Sequence, residues 1–171
     1  MARAISQRHP VRAVLVAVIL AVLVSPSLGA QGRELTGQVV GVSDGDTITV
    51  RSGRQTVKVR LAGIDCPEKR QAFGARAKQF TSQRAFDQTV TIIPVDVDRY
   101  GRLVGEVILP NGESLNRALV AAGLAWWYRK YSDDEDLEQL EEEARQAERG
   151  LWADADPIPP WEFRRLVRQG R

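Results

Sequence analysis

The chain has 171 residues, of which 43% are hydrophobic and 27% are charged. This is the composition of an ordinary globular protein, and it excludes a disordered chain, a collagen-like protein and a membrane protein with many spans. The formal net charge of +2 predicts no partner by itself. Nine of the acids fall between residues 132 and 148, however, so the remainder of the chain is basic and can attract a polyanion.

Residues 1–30 have the pattern of an export signal. Three arginines precede an apolar run over residues 13–24, and small residues follow as far as Ala30. The run is too short to cross about 30 Å of hydrocarbon as a helix, so we expect cleavage after Ala30 rather than a membrane anchor. The mature protein is then expected to be secreted or periplasmic, with no stable membrane association.

Cleavage would also remove histidine chemistry from the protein. The single histidine is His9, so the mature chain would have no imidazole for a Ser-His-Asp or Cys-His nucleophile, a zinc site or a general base. Acid and base chemistry is left to carboxylate, lysine, tyrosine or water. The single cysteine, Cys66, cannot form an intramolecular disulfide, so stability must come from packing.

Alternating and β-branched segments predict five short strands. The β-branched runs on both sides of Asp44-Gly45 predict a hairpin. Residues 56–61 alternate in polarity, which predicts a third strand with Arg60 pointing away from the core. Two more strands are predicted over residues 89–97 and 103–109, joined by a polar turn.

Apolar spacing and capping residues predict three helices between and after these strands. The elements together predict an α+β protein built on a small closed barrel, with residues 31–156 as one domain. Residues 157–171 are expected to form an extended proline-rich segment and a basic tail. The helices are predicted between Gln71 and Phe86, over Leu115 to Ala122 with Ser114 as cap, and from a Ser132–Glu135 capping box to Gly150.

Three acids lie at predicted strand ends or turns, where functional sites are common. Asp46 follows the hairpin turn, and Asp65 and Glu68 follow the third strand. Acids gathered without histidine or paired cysteine favour a hard cation such as Ca²⁺ or Mg²⁺. Pro67 restricts Cys66 towards extended backbone, which lets the Cys66 carbonyl oxygen turn to a metal while the thiol takes no part.

Arg60 and Arg102 add positive charge near these acids. Two guanidinium groups facing a metal-bound carboxylate cluster would form a phosphate clamp, because the planar guanidinium matches phosphate oxygens in pairs. Simpler interpretations stay open at this point. Asp-Gly pairs are common in turns, and the arginines can belong to exposed ion pairs worth about 0 to 1 kcal/mol.

Four ordered motifs resemble the staphylococcal nuclease family. They occupy residues 42–47, 60–68, 98–102 and 115–120, in matching order and at matching spacing. The resemblance covers about residues 34–153. It implies a five-stranded OB-fold barrel with three helices, and Ca²⁺-dependent cleavage of phosphodiester bonds in DNA and RNA.

The resemblance also implies a role for individual residues of this chain. One Ca²⁺ ion would have carboxylate and main-chain ligands, a catalytic set would surround it, and further side chains would contact the substrate. The residues concerned are Asp46, Asp65 and Cys66 for the metal, Arg60, Glu68 and Arg102 for catalysis, and Arg99, Tyr128 and Tyr131 for the substrate.

Two features depart from the pattern of the family's founding member. That protein has threonine where Cys66 stands. The difference is harmless if the main-chain oxygen of this residue is the metal ligand, but activity would fall if a hydroxyl is needed. Residues 123–131 are also more aromatic here. We expect Trp126 and Trp127 to pack in the core or a lid, while the neighbouring tyrosines can each stack on a base or contact a terminal phosphate.

We therefore expect an exported, monomeric nuclease. It would cleave DNA and RNA alike and break the P–O5′ bond to leave 3′-phosphates. A clamp for phosphate does not contact base edges, so sequence preference should be weak. One alternative is a catalytically inactive OB-type module that binds nucleic acid or protein, although such modules usually lack the site charges. Another is a Ca²⁺-binding adhesion or structural domain, in which Arg60 and Arg102 would be idle.

Overall fold

A computed structural model describes residues 33–170 of the chain. The predicted export signal lies outside the described residues. Within residues 33–170, no helix is long and apolar enough to span a bilayer. The strands are β1 (Leu35–Val42), β2 (Thr47–Ser52), β3 (Gln55–Leu61), β4 (Ile64–Asp65), β5 (Thr89–Val97), β6 (Leu103–Ile108) and β7 (Trp126–Trp127); the helices are α1 (Gly74–Ala85), α2 (Leu115–Ala121), α3 (Glu135–Gln146) and α4 (Pro160–Arg168), with a short 3-10 helix at Gly150–Ala153.

Five of the strands form a closed barrel in the order β1-β2-β3-β6-β5. Neighbouring strands are antiparallel except β3 and β6, which pair in parallel. The alternation along each strand places one set of side chains inside the barrel, where burying apolar area stabilises the fold. The closed five-stranded α+β barrel predicted from the sequence is therefore confirmed. Its interior includes Val39, Ile48, Val50, Val59, Leu61, Ile92 and Val107, none more than 1% exposed.

The predicted α2 is confirmed, but the start of α3 is not where the sequence pattern places it. Ser132 is not the cap: its hydroxyl accepts a hydrogen bond from the Asp134 N–H at 3.2 Å in a turn before the helix. The carboxylate of Asp134 then caps the helix by accepting from the Asp136 N–H at 3.0 Å. The helix ends at Gln146, and Gly150 begins the 3-10 helix instead.

The C-terminal segment also differs from the expectation of an extended tail. Residues 157–159 form neither helix nor strand, with Pro159 extended, but α4 follows with Pro160 in its first turn. Proline suits that position because its fixed φ is helical and its missing N–H would have no helical partner. This fourth helix is the addition to the three that the sequence predicts, and it lies against the site described next.

Candidate active site

The loop between β1 and β2 carries Asp46 into a buried position. Gly45 makes this possible, because a Cβ atom there would lie 2.7 Å from the Ala77 Cβ atom and 2.7 Å from the Cys66 sulfur. The Thr81 hydroxyl also donates to the Gly45 carbonyl at 2.6 Å. The glycine of the hairpin is thus required by close packing against α1, which fixes the backbone beside Asp46.

Asp65 is positioned by contacts from distant parts of the chain. It lies in β4, where it pairs with Trp126 of β7. The Asn116 amide donates to the Ala62 carbonyl at 2.9 Å and so holds the turn between β3 and β4. One step further along, the Cys66 N–H donates to Oδ2 of Asp46 at 2.7 Å. The two acid-bearing segments are therefore joined directly.

Arg60 lies between the two acids. Its guanidinium contacts Asp46 and donates to Oδ1 of Asp65 at 2.8 Å. Asp46 and Asp65 are only 3% and 1% exposed. Burial lowers the pKa of Arg60, but the charges of Asp46 and Asp65 outweigh it and raise that pKa overall. Arg60 therefore stays charged and offsets the cost of burying two carboxylates.

A third carboxylate, Asp44, adds further negative charge. Burial, followed by repulsion from Asp46, raises the pKa of Asp44 to about 6. Its Oδ1 atom accepts from the Asp46 N–H at 3.3 Å. Asp44 thus adds a third carboxylate to the two that Arg60 contacts at this end of the barrel.

The thiol of Cys66 is free and lies in the protein interior. It is buried with the barrel core and packs against Gly45. Burial raises the pKa of the Cys66 thiol well above its ordinary value, so the side chain is neutral. These contacts agree with a bystander thiol, and the main-chain carbonyl remains the predicted ligand at this position.

Glu68 lies just beyond β4 and is held by a residue that the sequence pattern did not single out. Arg164 of α4 donates to Oε1 of Glu68 at 2.8 Å and to the two oxygens of Asp65 at 2.7 and 3.2 Å. Burial lowers the pKa of Arg164, but its hydrogen bonds to Asp65 and Glu68 raise that pKa overall. The proline at the start of α4, with the apolar residues after it, is the signal that could have predicted this helix.

Arg102 and Arg99 lie in the turn between β5 and β6. The Arg102 Nε atom donates to Oδ2 of Asp98 at 2.7 Å. Both guanidinium groups also lie over the Tyr100 ring, at 4.8 Å for Arg99 and 5.5 Å for Arg102. The turn leads into β6, whose first residue pairs with Val59 on the strand that carries Arg60. Among the described residues, the ion-pair partner of Arg102 is Asp98 and not an acid of the buried site.

Tyr128 and Tyr131 contact each other at the end of β7. Their rings meet edge to face at 4.8 Å, and Tyr131 is 67% exposed. The Tyr128 N–H donates to the Gly63 carbonyl at 2.8 Å, which places this tyrosine next to the turn before Asp65. Its ring stacks on Trp161 of α4, at 5.1 Å and nearly parallel. As the sequence predicts, the preceding tryptophans pack in the core, with exposures of 6% and 8%.

The acids have the donor chemistry of a site for a hard cation. Within residues 33–170, no three His, Cys, Asp or Glu side chains form a ready-made metal site. Asp46 and Asp65 nevertheless share one guanidinium, so both carboxylates can face the same positive charge. Ca²⁺ takes six to eight oxygen ligands and accepts main-chain carbonyls and water among them. The donors present therefore fit Ca²⁺ with two carboxylates and further ligands from backbone and solvent.

Comparison with known proteins gives one consistent result. The family model described as staphylococcal nuclease homologue matches residues 58–154. A micrococcal nuclease of Shigella flexneri is 42% identical over an alignment of 167 positions that covers 92% of this chain and 93% of that protein. An uncharacterized endonuclease of Escherichia coli O157:H7 is 46% identical over 131 residues, 77% of this chain and 86% of that protein. The chain therefore belongs to the staphylococcal nuclease family.

Proposed function

We propose that this protein is an exported, Ca²⁺-dependent nuclease that hydrolyses phosphodiester bonds in both DNA and RNA. The observation that supports this most is the meeting of Asp46 and Asp65 at Arg60, with Glu68 beside them, in a member of a nuclease family. Relatives named as nucleases share most of the chain, which supports the same reaction class here.

The buried acids would hold the cation. Asp46 and Asp65, with the main-chain carbonyl of Cys66, would bind one Ca²⁺ ion, which when bound supplies a Lewis acid for a non-bridging phosphate oxygen. Both carboxylates are held by hydrogen bonds before any ligand arrives, Asp46 by the Cys66 N–H and Asp65 by Arg60. This pre-organisation lowers the cost of ordering the site when the cation binds.

Glu68 would activate the attacking water. Its side chain is 40% exposed, so water can reach it, and it lies next to the predicted cation ligand Asp65. A carboxylate oxygen of Glu68 would orient the water and accept its proton as the new P–O bond forms. Departure of the 5′ oxygen opposite that water would leave a 3′-phosphate product.

The arginines would stabilise the charge that develops on the phosphate oxygens. Arg60 is fixed among the acids, and Arg102 lies in the turn that leads into β6, the strand that pairs with β3. Loss of one donor of this kind costs on the order of 10²-fold in rate. Arg99 would contact an adjacent phosphate, and Tyr128 or Tyr131 would stack on a base or contact a terminal phosphate. These groups contact phosphate and ring faces, so little sequence preference is expected.

The test is an assay of the purified protein on single-stranded DNA, heat-denatured DNA and RNA. We expect all three to be degraded with Ca²⁺ and none with excess chelator, and the products to lose a terminal phosphate to a 3′-phosphatase. Full activity in excess chelator would contradict the metal assignment. Binding of nucleic acid without cleavage would instead indicate the inactive OB-type module, and binding of Ca²⁺ alone would indicate a structural Ca²⁺ domain.

A matched pair of variants tests the role of Glu68. Glu68→Gln removes the proton acceptor and is expected to lower turnover by on the order of 10²-fold or more. Glu138→Gln makes the same chemical change on an exposed face of α3 and should leave turnover unchanged. Equal activity in the two variants would show that Glu68 has no part in the reaction.

N-terminal sequencing of the exported protein tests the proposed cleavage after Ala30.

A further inference from the structure

Helix α4 lies over the candidate site although it is outside the segment that matches the family model. The match ends at residue 154, and α4 begins at Pro160. The acids that α4 contacts, Asp65 and Glu68, lie inside the matched segment. The helix is thus an addition to the part of the site that the family model covers, and its contacts need their own explanation.

One contact places a positive charge on the acids. Arg164 donates to Oδ2 of Asp65 at 2.7 Å, to Oδ1 of Asp65 at 3.2 Å and to Oε1 of Glu68 at 2.8 Å. Arg60 donates to the same Oδ1 atom at 2.8 Å. Guanidinium groups therefore engage both oxygens of Asp65, which leaves the carboxylate little capacity to coordinate a cation.

A second contact places an aromatic ring on the proposed substrate tyrosine. Trp161 stacks on Tyr128 with 5.1 Å between ring centroids and 3° between ring planes. This near-parallel arrangement is the one that a nucleic-acid base adopts on an aromatic side chain. Trp161 also meets Trp126 edge to face at 5.7 Å, which fixes its orientation. A base cannot occupy the same face of Tyr128 while Trp161 is there.

The remaining attachment of α4 is slight. Pro160 is its one buried residue, whereas α3 buries Leu137, Glu141 and Ala144. A segment with so few buried groups opens at a lower free-energy cost than the core of the domain. The ion pairs and the stack at the site are therefore a large share of what holds α4 in place.

We propose that α4 is an inhibitory helix, in which Arg164 occupies the place of the divalent cation at Asp65 and Trp161 occupies the place of a base on Tyr128. The proposal rests on the proposed function of the site. Cation and nucleic acid must each displace the helix, so the apparent affinity for both falls by the fraction of molecules in which the site is open. Arg164 does not act as a phosphate ligand in this proposal, because its guanidinium donates to Asp65 and Glu68 and offsets their negative charge.

The first arm of the test measures Ca²⁺ binding without nucleic acid, by isothermal titration calorimetry on the full chain. Arg164→Gln is expected to tighten Ca²⁺ binding by about tenfold. Arg165→Gln is the control, because it removes the same charge from the next residue, whose only ion pair in the described chain is with Glu162 at 4.0 Å. It should change the affinity by less than about twofold, since exposed charges are screened. Arg164→Lys, which keeps the charge but loses the paired hydrogen bonds, should lie between the two.

The second arm measures binding of a short phosphorothioate DNA strand in chelator, by fluorescence anisotropy. Trp161→Leu is expected to tighten binding severalfold, because Tyr128 becomes available to a base. Val167→Ala, on an exposed part of the same helix, serves as the control. Thermal melts of every variant check that the barrel is intact.

The outcomes separate this proposal from the function on which it rests. Unchanged or weaker Ca²⁺ binding in Arg164→Gln overturns the proposal. Unchanged or weaker DNA binding in Trp161→Leu also overturns it, and weaker binding would make the helix part of the substrate site. Absence of cleavage under every condition by the wild-type protein and also by Arg164→Gln, in which the helix no longer blocks Asp65, would instead refute the nuclease function. Both titrations still report on α4 in that case, since neither depends on turnover.

Discussion

Two regions of the candidate site are held in place in different ways: the segments that carry the buried acids, and the turn between β5 and β6 that carries Arg102. On one side, Asp46, Asp65 and Arg60 come from three segments and hold one another in a nearly buried cluster. On the other side, Arg102 is tied to Asp98, four residues earlier in the same exposed turn. The first side depends on the whole fold and the second on local contacts. Substitutions of the same kind should therefore have different consequences on the two sides.

The largest effect is expected from Arg60→Gln. The variant leaves Asp46 and Asp65 buried with less positive charge to offset them, which should lower the free energy of unfolding by about 3 kcal/mol. Turnover should fall by on the order of 10²-fold as well. Urea unfolding and initial rates measure the two quantities. Lys58→Gln, an exposed position two residues earlier on β3, is the control and should be neutral in both. A fully stable Arg60→Gln would show that the cluster does not need this arginine.

Arg102→Gln makes the same change on the other side and should separate activity from stability. We expect a loss of turnover on the order of 10²-fold. The unfolding free energy should stay within about 0.5 kcal/mol of wild type, because the ion pair lost is local and partly exposed. Arg84→Gln, which breaks the exposed pair with Glu113, controls for the loss of a surface ion pair. Early melting of Arg102→Gln would mean that the turn is structural.

The same contrast explains how much the sequence could predict. Asp46 follows a hairpin turn, and Asp65 and Glu68 follow the third predicted strand; these patterns are local, so the positions at the end of the barrel could be inferred. Arg164 could not, because it lies 99 residues from Asp65 and no local pattern reports a contact over that distance. The charges of this segment predict a basic tail, whereas its apolar residues follow a proline suited to the first helical turn, which indicates a helix.

The start of α3 shows a second limit of local patterns. Ser132 and Glu135 have the spacing of a capping box, but Asp134 also has a side chain that can cap a helix. Arg117 of α2 favours Asp134 as the cap in the folded protein, because its guanidinium forms ion pairs with both Asp134 and Asp136. A tertiary ion pair of this kind favours the later start, and the sequence pattern contains no sign of it.

Glu141 of α3 supports the position of Asp65 indirectly, through β7. It is 1% exposed, accepts from the Trp127 N–H at 3.1 Å and pairs with Arg129 at 2.8 Å. It thereby holds β7, which in turn pairs with the strand of Asp65. Glu141→Gln should lower the unfolding free energy by about 2 kcal/mol and reduce turnover severalfold. Glu142→Gln, the exposed neighbour, should do neither when melted and assayed alongside.

The smallest effect is expected on the turn side, from Asp98→Asn. Burial raises the pKa of Asp98, but hydrogen bonds from Arg102 and Tyr100 outweigh it and lower that pKa below its ordinary value of 3.8. A carboxylate with a lowered pKa stabilises the fold above the pKa of the unfolded chain, and that contribution is lost as the pH falls through the folded value.

The stability gap between wild type and Asp98→Asn should therefore be at most about 1 kcal/mol at neutral pH and should close as the pH falls below about 4. Urea unfolding at a series of pH values measures the gap, with Asp133→Asn as an exposed control that should show no such closure. Turnover of Asp98→Asn should fall only a few-fold, because Arg102 keeps its charge when its ion pair with Asp98 is lost. A gap that is constant with pH would mean that the Asp98 carboxylate does not hold the turn through its charge, and the contrast with the buried acids would then lie in burial alone.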